Sequence, residues 1–264
     1  MNNKHDMIFL LPCFSGGGAE RVTINLLIGL HNLNYNVGII VFNKSGPLLS
    51  MLSNNIPIYD LERHTLKSSI VPLIRQLRRL NPKVIFSTLG YINVLILAMR
   101  WFLPKKIKIW IREANIPSIS LPNNNRPKIM AFLYKMLYNK SDKLICTSTR
   151  MKDEFILNFL VPESIIEILP NPVDVKVIRD SILTVERFDK GGVSYITAGR
   201  LVYQKGFDRL LYWFSKLNDR QSTLTILGEG VLKNELMRES ELLGLTDRVN
   251  FLGFCNNPWQ WYAG

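Results

Sequence analysis

Three consecutive glycines stand between a short apolar run and a helical pattern near the start of the chain. The motif reads Ser15-Gly16-Gly17-Gly18-Ala19-Glu20-Arg21-Val22. Glycines let backbone N–H groups approach a ligand closely, and the N-terminus of the following helix adds partial positive charge. The pattern favours a site for a phosphate or a sugar hydroxyl, with a plain turn as the alternative. It lacks the Gly-Lys-Ser/Thr of a P-loop and the G-x-G-x-x-G spacing of a dinucleotide site, which argues against kinases and dehydrogenases.

A second glycine-bounded motif carries two cations. It reads Gly199-Arg200-Leu201-Val202-Tyr203-Gln204-Lys205-Gly206-Phe207-Asp208, and it leaves a predicted strand to enter a predicted helix. Ligands of open α/β sheets bind at the carboxyl ends of the strands. Arg200 offers a planar fork for phosphate oxygens, and Lys205 offers a compact second charge. Together they could neutralise a departing diphosphate; the alternative is that both cations are merely solvated.

Two weaker motifs follow in the same half of the chain. Leu227-Gly228-Glu229-Gly230 is a glycine turn with some potential to contact an anion or a base. Val249-Asn250-Phe251-Leu252-Gly253-Phe254 is mostly a buried strand whose exposed end could hold a base. A purely structural role is the alternative for both.

Cysteine and histidine usage does not indicate a metal site. The chain has three cysteines, far apart, at positions 13, 146 and 255. Their number and spacing suggest neither a disulfide framework nor a zinc site. The three histidines, at positions 5, 31 and 64, lack metal-ligand spacing. We therefore predict no bound metal.

Composition is that of a globular protein with a basic surface. The 264 residues are 47% hydrophobic and 20% charged, with a formal net charge of +12. Such a charge suits nucleic acid, an anionic membrane or a phosphorylated substrate. No apolar run approaches the roughly 18 residues of a membrane-spanning helix, and Met7–Phe14 is better explained as a buried strand than as a signal peptide. The sequence predicts a cytoplasmic protein.

Strand-like runs alternate with helical patterns through the first two thirds of the chain, which predicts a parallel sheet covered by helices on both faces. The predicted strands are Met7–Pro12, Asn36–Phe42, Ile56–Leu61, Lys83–Ser87, Lys108–Arg112, Lys143–Thr147 and Ile165–Leu169. The predicted helices are Ala19–Leu33, Ser69–Leu80, Tyr91–Phe102, Lys128–Asn139 and Arg150–Phe159. In the first helix, Val22, Leu26, Leu30 and Leu33 are expected on one buried face.

A charged, weakly periodic segment follows Pro170-Asn171-Pro172-Val173-Asp174 and runs to Gly192, and the alternation then restarts. The predicted elements are strand Val193–Ala198, helix Phe207–Leu217, strand Thr223–Leu227, helix Leu232–Leu243 and strand Val249–Phe254. We expect one domain over residues 1–175. Residues 176–264 are expected to form a linker and the first part of a second nucleotide-binding domain.

Two basic, partly apolar segments suggest a membrane surface. In the helix Ser69–Leu80, Ile70, Leu73, Ile74 and Leu77 lie on one side, with Arg75, Arg78 and Arg79 around the other. Residues 101–106 (WFLPKK) place aromatic side chains beside cations. Such surfaces suit docking to anionic lipid headgroups. The alternative is a solvated helix face and a tryptophan in the core.

The motifs GGGAERV, NPVD, GRLVYQKGFD, GEG and VNFLGF, in this order and at these intervals, resemble family 4 glycosyltransferases of GT-B fold. The resemblance covers essentially the whole chain, and GRLVYQKGFD is its most specific part. It implies an α/β protein with two Rossmann-like lobes, acceptor on the first and nucleotide-sugar on the second. It also implies a retaining reaction without metal or cofactor, and the chain contains no Asp-x-Asp pair.

The resemblance also implies roles for individual residues. Arg200 and Lys205 would stabilise the leaving diphosphate. Residues expected to contact the donor or its phosphates are Gly16, Gly17, Gly18, Gly228, Glu229, Phe251, Leu252 and Gly253. Residues expected on the acceptor side are Glu20, Arg21 and Asn115.

Two departures from the family pattern qualify these roles. Many relatives place a histidine after the strand that corresponds to Lys108–Arg112, where this chain reads Ile111-Arg112-Glu113-Ala114-Asn115. Glu113 or Asn115 could substitute for that histidine, and we take Glu113 as the candidate catalytic residue. The family's paired glutamates, eight residues apart, would come after Gly264, so we expect a C-terminally truncated transferase with an incomplete second lobe and weak activity alone.

The predicted function is transfer of a hexosyl group from a nucleotide-sugar, taken as UDP-linked, to a saccharide or lipid-linked saccharide in cell-surface polysaccharide or lipopolysaccharide synthesis. Peripheral contact with the inner face of an anionic membrane is part of this hypothesis, and nucleic acid is not an expected partner. The alternatives are an inactive or partner-dependent remnant, a nicotinamide or phosphoryl-transfer enzyme, and a nucleic-acid-binding protein. The last two lack their fingerprints.

Overall fold

The computed structural model describes residues 5–173, 175–182, 192–255 and 257–263. The chain forms two compact units, which divide between Pro172 and Val173. Each unit is an α/β structure built on its own parallel sheet. The alternation of strands and helices predicts this class, and the prediction is confirmed.

Seven parallel strands form the sheet of the first unit. They are β1 (Met7–Leu11), β2 (Val37–Val41), β3 (Ile58–Asp60), β4 (Val84–Thr88), β5 (Lys108–Arg112), β6 (Lys143–Cys146) and β7 (Ile166–Ile168). Their order across the sheet is β3-β2-β1-β4-β5-β6-β7. The order therefore reverses direction at β1, which pairs with β2 on one side and with β4 on the other.

Six α-helices accompany this sheet in the part of the first unit that the structure describes. They are α1 (Gly18–Asn32), α2 (Leu66–Leu80), α3 (Gly90–Ala98), α4 (Pro117–Ser120), α5 (Pro127–Leu137) and α6 (Thr149–Phe159). Two buried clusters of apolar side chains lie in the unit, one including Ile8 and Leu10 of β1 and the other Phe9 and Leu11. Because successive strand side chains point to opposite faces, both faces of β1 are covered.

The buried face of α1 differs from the predicted one. Val22, Ile24 and Leu27 are buried, and Leu26 and Leu30 are only partly so. Leu33, which was expected on the buried face, lies after the end of the helix and is 69% exposed. The helix ends one residue before Leu33, so the helical period no longer directs that side chain toward the sheet.

Helix α2 begins three residues earlier than predicted because Thr65 caps it. The Thr65 hydroxyl accepts a hydrogen bond from the Ser68 backbone N–H at 3.2 Å. The two faces of α2 are as predicted: Leu73 and Leu77 are buried, and Arg75, Arg78 and Arg79 are exposed.

The apolar helix expected over Tyr91–Phe102 is interrupted. Helix α3 ends at Ala98, and a separate 3-10 turn covers Arg100–Phe102. Trp101 is 86% exposed, so a tryptophan in the core is the wrong alternative. The Arg78 guanidinium donates a hydrogen bond to the Phe102 carbonyl oxygen at 2.7 Å. This contact joins the end of α2 to the exposed aromatic pair.

The second unit contains three parallel strands among its described residues. They are β8 (Ser194–Ala198), β9 (Thr223–Leu227) and β10 (Val249–Gly253), in the order β10-β9-β8. Its helices are α7 (Val175–Ile182), α8 (Phe207–Ser215), α9 (Lys233–Leu242) and α10 (Trp259–Ala263). A buried cluster that includes Leu211, Phe214 and Ile226 joins α8 to the sheet.

Three helices were not predicted. The Pro/Asn-rich loop after β5 contains α4, and the charged segment after residue 174 begins with α7. Helix α10 is the third. The rest of the charged segment, residues 183–191, lies outside the described residues, as does Asp174 of the NPVD motif. The short lengths of α4 and α10 explain why their periodicity was invisible in the sequence.

Candidate active site

The first unit has its candidate binding edge where the strand order reverses. Loops that follow neighbouring strands β1 and β4 lead into α1 and α3 at the carboxyl edge of the sheet. In open α/β sheets, a crevice forms at such a point because the two connections leave toward opposite faces. The glycine motif of residues 16–18 occupies one side of this edge.

The glycine motif meets the N-terminus of α1 without a side-chain cap. Gly17 is the N-cap residue of α1. The Glu20 carboxyl group fills the space where a side chain on residue 17 would lie, since a Cβ on Gly17 would be 2.9 Å from the Glu20 carboxyl carbon. The Ser15 hydroxyl donates to Glu20 Oε1 at 2.7 Å. Gly16 and Gly18 are exposed, and a Cβ on Gly18 would meet nothing within 4 Å. Backbone N–H groups of the first turn are therefore left for a ligand or water.

A glycine after β2 supports this loop and was not singled out from the sequence. The Phe14 carbonyl oxygen accepts from the Leu48 N–H at 3.1 Å, and the Phe14 N–H donates to the Ser45 carbonyl at 2.8 Å. Gly46 has φ +119°, and a Cβ there would overlap the Phe14 carbonyl. Only glycine fits this position, because both the backbone conformation and the space exclude a side chain.

Tyr91 of α3 lies close enough to Glu20 of the glycine motif to interact with its charge, and it is a second residue that sequence reasoning missed. Burial raises the pKa of Tyr91 to about 12, with smaller contributions from the charges of Glu20 and Cys13. The Tyr91 side chain is nevertheless 41% exposed at this edge. Its hydroxyl therefore stays protonated and can donate or accept a hydrogen bond. Arg21, the next residue of the motif, is half-buried.

Glu113 follows β5 and is buried in a network of polar side chains. Its Oε1 accepts hydrogen bonds from Asn93 Nδ2 at 2.8 Å and from the Tyr138 hydroxyl. Burial raises the pKa of Glu113 to about 7, although hydrogen bonds from Tyr138, Asn93 and Tyr134 and the charge of Arg112 oppose the shift. The carboxyl group thus changes protonation near neutral pH.

The network closes against the start of α3. A Cβ on Gly90 would overlap the Tyr134 hydroxyl and lie 3.4 Å from Glu113 Oε1. The Tyr134 and Tyr138 rings stack with centroids 4.2 Å apart. Leu89, which precedes Gly90, has φ +77°, an uncommon conformation for a non-glycine residue. The structure places the Glu113 carboxylate next to Gly90 at the start of α3. The predicted role of Glu113 in catalysis stays a prediction.

Arg112 is also buried and reaches the NPVD segment. Its guanidinium donates hydrogen bonds to Asn171 Oδ1 and, at 3.5 Å, to Thr88 Oγ1. Burial lowers the pKa of Arg112, and the charge of Glu113 opposes this shift. Arg112 therefore ties the ends of β4 and β5 to the end of the first unit. Asn115, predicted on the acceptor side, is exposed two residues after Glu113.

In the second unit, glycines bring three loops together at the carboxyl edge. The Leu201 N–H donates to the Glu229 carbonyl at 2.9 Å, and the Gly228 N–H donates to the Gly253 carbonyl at 2.7 Å. A Cβ on Gly228 would overlap the Gly199 carbonyl oxygen, and one on Gly230 would lie 2.6 Å from the Leu201 carbonyl carbon. The GEG motif is therefore needed for close backbone approach.

Arg200 and Lys205 stand at this same edge. Both side chains are exposed, and neither forms an ion pair or hydrogen bond with another described residue. A Cβ on Gly199 would lie 3.9 Å from Lys205 Cδ, so the lysine stem folds back over the glycine beside Arg200. Two exposed cations that have no ion-pair partner among the described residues form a site suited to an anionic group.

The remaining predicted donor residues are spread over the same edge. Glu229 forms an ion pair with Lys233 at 2.7 Å, and its carboxylate approaches Gly253. Phe251 packs partly against the buried cluster of the second unit, whereas Leu252 is half-exposed. The described residues contain no cluster of three or more histidine, cysteine, aspartate or glutamate side chains able to hold a metal ion. No described helix is long and apolar enough to cross a membrane.

Two Rossmann-like units with glycine-lined carboxyl edges define the GT-B class, and solved structures share this fold. Alr3699/HepE of Anabaena, solved with UDP and glucose, has a TM-score of 0.77 at 16% identity over 97% of this chain and 71% of that one. The lipopolysaccharide outer core galactosyltransferase WaaB has a TM-score of 0.65 at 18% identity, covering 96% of this chain and 69% of that one.

The chain belongs to glycosyltransferase family 4. The family model "Glycosyltransferase Family 4" matches residues 16–177, and "Glycosyl transferases group 1" matches residues 179–263. A curated relative from Campylobacter jejuni is 31% identical over 265 residues, covering 94% of this chain and 69% of the relative. It is named N-acetylgalactosamine-N,N'-diacetylbacillosaminyl-diphospho-undecaprenol 4-alpha-N-acetylgalactosaminyltransferase. The resemblance drawn from the motifs is thus confirmed at the level of family and fold.

Proposed function

We propose that this protein transfers a hexose or N-acetylhexosamine from a UDP-linked donor to a lipid-linked saccharide, with retention of configuration. The observation that carries the proposal is the 31% identity to the Campylobacter jejuni transferase across both units. That relative is named for a diphospho-undecaprenol-linked acceptor and an N-acetylgalactosaminyl group. A role in cell-surface polysaccharide or lipopolysaccharide synthesis follows from an acceptor of this kind.

Arg200 and Lys205 fit the proposed reaction because both are exposed cations and neither side chain is paired with another described residue. As the bond to the sugar breaks, negative charge grows on the departing diphosphate. Cations held at a glycine-lined edge stabilise that charge more in the transition state than in the bound donor. Glu229 and residues 251–253 are proposed to contact the rest of the nucleotide-sugar.

The glycine motif of the first unit is proposed to bind a phosphate or the acceptor. Free N–H groups at the start of α1 suit phosphate oxygens, and Glu20 and Tyr91 offer hydrogen-bonding groups beside them. Arg21 and Asn115 complete the proposed acceptor side. In this proposal Glu113 is a positioning residue. It accepts a hydrogen bond from Asn93 and so fixes the start of α3, the helix that carries Tyr91.

A transfer assay tests this proposal. The chain would be incubated with UDP-N-acetylgalactosamine, UDP-N-acetylglucosamine, UDP-galactose and UDP-glucose, each with a polyprenyl-diphosphate disaccharide or with the free disaccharide. We expect one donor to give product, preferentially on the lipid-linked acceptor, and an α-linkage by NMR. A chain that binds UDP but transfers nothing would support the alternative, an inactive or partner-dependent protein. An inverted linkage would overturn the retaining mechanism.

A further inference from the structure

A buried arginine holds the stretch in which the chain leaves the first unit, residues 170–173, here called the exit segment. The two units divide between Pro172 and Val173. Arg112, the last residue of β5, is 1% exposed, and its guanidinium donates a hydrogen bond to Oδ1 of the exposed Asn171. We propose that Arg112 is a positioning residue, which fixes the point where the chain leaves the first unit. The proposal rests on the proposed function, in which the donor and the acceptor bind to different units.

The backbone of the exit segment does not hold it against the sheet. The Leu169 N–H, just before the segment, donates to the Cys146 carbonyl oxygen at 2.8 Å. Pro170 and Pro172 have no backbone N–H, so neither can continue this pairing. All four residues of the segment are exposed. Among the described residues, no group of the first unit other than the Arg112 guanidinium forms a hydrogen bond with the segment.

The contact is strong because Arg112 is a buried cation that needs acceptors. It forms no ion pair with a described residue. Its other acceptor is Thr88 Oγ1 at the end of β4, at a distance of 3.5 Å. A guanidinium removed from water is costly unless hydrogen bonds replace its hydration. The Asn171 amide therefore stabilises the buried charge, and that charge makes the hydrogen bond stronger than one between two neutral groups.

The same residue also holds the candidate site of the first unit. The Arg112 carbonyl oxygen accepts a hydrogen bond from Asn93 Nδ2 at 2.9 Å. Asn93 belongs to α3, the helix that carries Tyr91. The start of α3 is therefore attached to the backbone of Arg112, and the exit segment is attached to its side chain. The proposed acceptor side and the departing chain thus share one point of attachment at the end of β5.

This arrangement has a kinetic consequence if the proposed function holds. The sugar must pass from a donor on the second unit to an acceptor on the first, and a released exit segment should make the reacting geometry rarer. The proposed donor contacts, Arg200 and Lys205 among them, all belong to the second unit. Binding of UDP should therefore not depend on Arg112. The expected signature is a lower kcat with an unchanged affinity for UDP.

The first test is limited proteolysis of the full chain with elastase, which cleaves after small aliphatic residues such as the exposed Val173. Cleavage after the exposed Val231 of the second unit is the internal reference. We expect Asn171→Ala to raise the relative rate of cleavage after Val173 about tenfold, because cleavage follows the population of the released segment. Asn171→Asp keeps an acceptor for Arg112 and should stay within about twofold of wild type. The control is Asn158→Ala, at an exposed asparagine of α6, which should change nothing.

The second test measures initial rates and UDP binding by titration calorimetry, with circular dichroism to verify the fold of each variant. We expect Asn171→Ala to lower kcat about tenfold without changing the Kd for UDP, and Asn171→Asp to retain kcat. Arg112→Lys keeps the charge but loses the planar fork, so it should resemble Asn171→Ala. Adding Asn171→Ala to Arg112→Lys should then cause little further change in either measurement.

Several results would overturn the proposal. These are unchanged cleavage after Val173 in Asn171→Ala, an equal increase in the Asn158→Ala control, and faster cleavage with an unchanged kcat. Equal losses of kcat and of UDP affinity would also overturn it, because they would assign the effect to donor binding. If no donor gives product, the proposed function fails, and the elastase rates alone still decide whether Arg112 holds the exit segment.

Discussion

Asn93 Nδ2 donates one hydrogen bond to Glu113 Oε1 at 2.8 Å and another to the Arg112 carbonyl oxygen at 2.9 Å. One amide group thus ties the first turns of α3 to the end of β5. Asn93 and Glu113 are both buried. A carboxyl group in such a place carries an electrostatic cost whenever it is ionised.

Because ionisation of the buried Glu113 carboxyl group is unfavourable, the stability of the folded chain should depend on pH. The pKa of Glu113 is raised from 4.5 to about 7, so the folded chain holds a proton that the unfolded chain has released. The free energy of unfolding should therefore fall as pH rises from about 4.5 to about 7, by about 3 kcal/mol from this group, and change no further above. Glu113→Gln should lack this fall. Urea unfolding of both proteins at pH 5 and pH 8 measures the difference.

The control for this experiment is Glu62→Gln, an exposed glutamate of the same unit. All other groups titrate alike in the three proteins, so their contributions cancel in the comparison. An equal dependence on pH in wild type and Glu113→Gln would contradict the proposed ionisation.

Gly90→Ala should destabilise the start of α3. The new Cβ would overlap the Tyr134 hydroxyl and lie 2.9 Å from its Cζ. We expect the free energy of unfolding to fall by about 2 kcal/mol. In a Tyr134→Phe background the loss should be smaller, because the overlapping oxygen is gone. A double-mutant cycle by chemical unfolding measures the coupling, and strictly additive effects would show that the two groups do not clash.

Arg200→Ala and Lys205→Ala should each lower kcat by about a hundredfold if these cations stabilise the leaving diphosphate. Arg220→Ala is the matched control, since this exposed cation precedes β9 at the opposite edge of the same sheet. Initial rates with the preferred donor, together with thermal unfolding, separate catalysis from stability. Unchanged rates in both variants would remove the cations from the mechanism.

Gly228→Ala should lower the free energy of unfolding and the affinity for UDP more than Gly244→Ala. Both glycines have positive φ, +150° and +68°. A Cβ on Gly228 would also overlap the Gly199 carbonyl oxygen, whereas one on Gly244 would meet nothing within 4 Å. We expect the free energy of unfolding to fall by about 1 kcal/mol in Gly244→Ala, from backbone strain alone, and by more in Gly228→Ala. Unfolding and UDP titration calorimetry test this order, which equal losses would contradict.

Local patterns predicted most elements because each strand is a short apolar run bounded by turn residues. Strands β5 and β9 begin and end at the predicted residues, Lys108–Arg112 and Thr223–Leu227. The glycine patterns also placed Arg200 and Lys205 at a loop after a strand. The helix α7 was missed because its eight residues stand in a charged segment with weak periodicity.

The sequence by itself determined the fold class, the family and the positions of the glycine motifs, since these depend on residues close together in the chain. Only the tertiary structure decided which distant residues meet. Asn93, Glu113 and Tyr138 form one network although 20 and 25 residues separate them. The contact between Arg112 and Asn171 was equally invisible, because 59 residues separate them and only the order of the strands brings the end of β5 near residue 171.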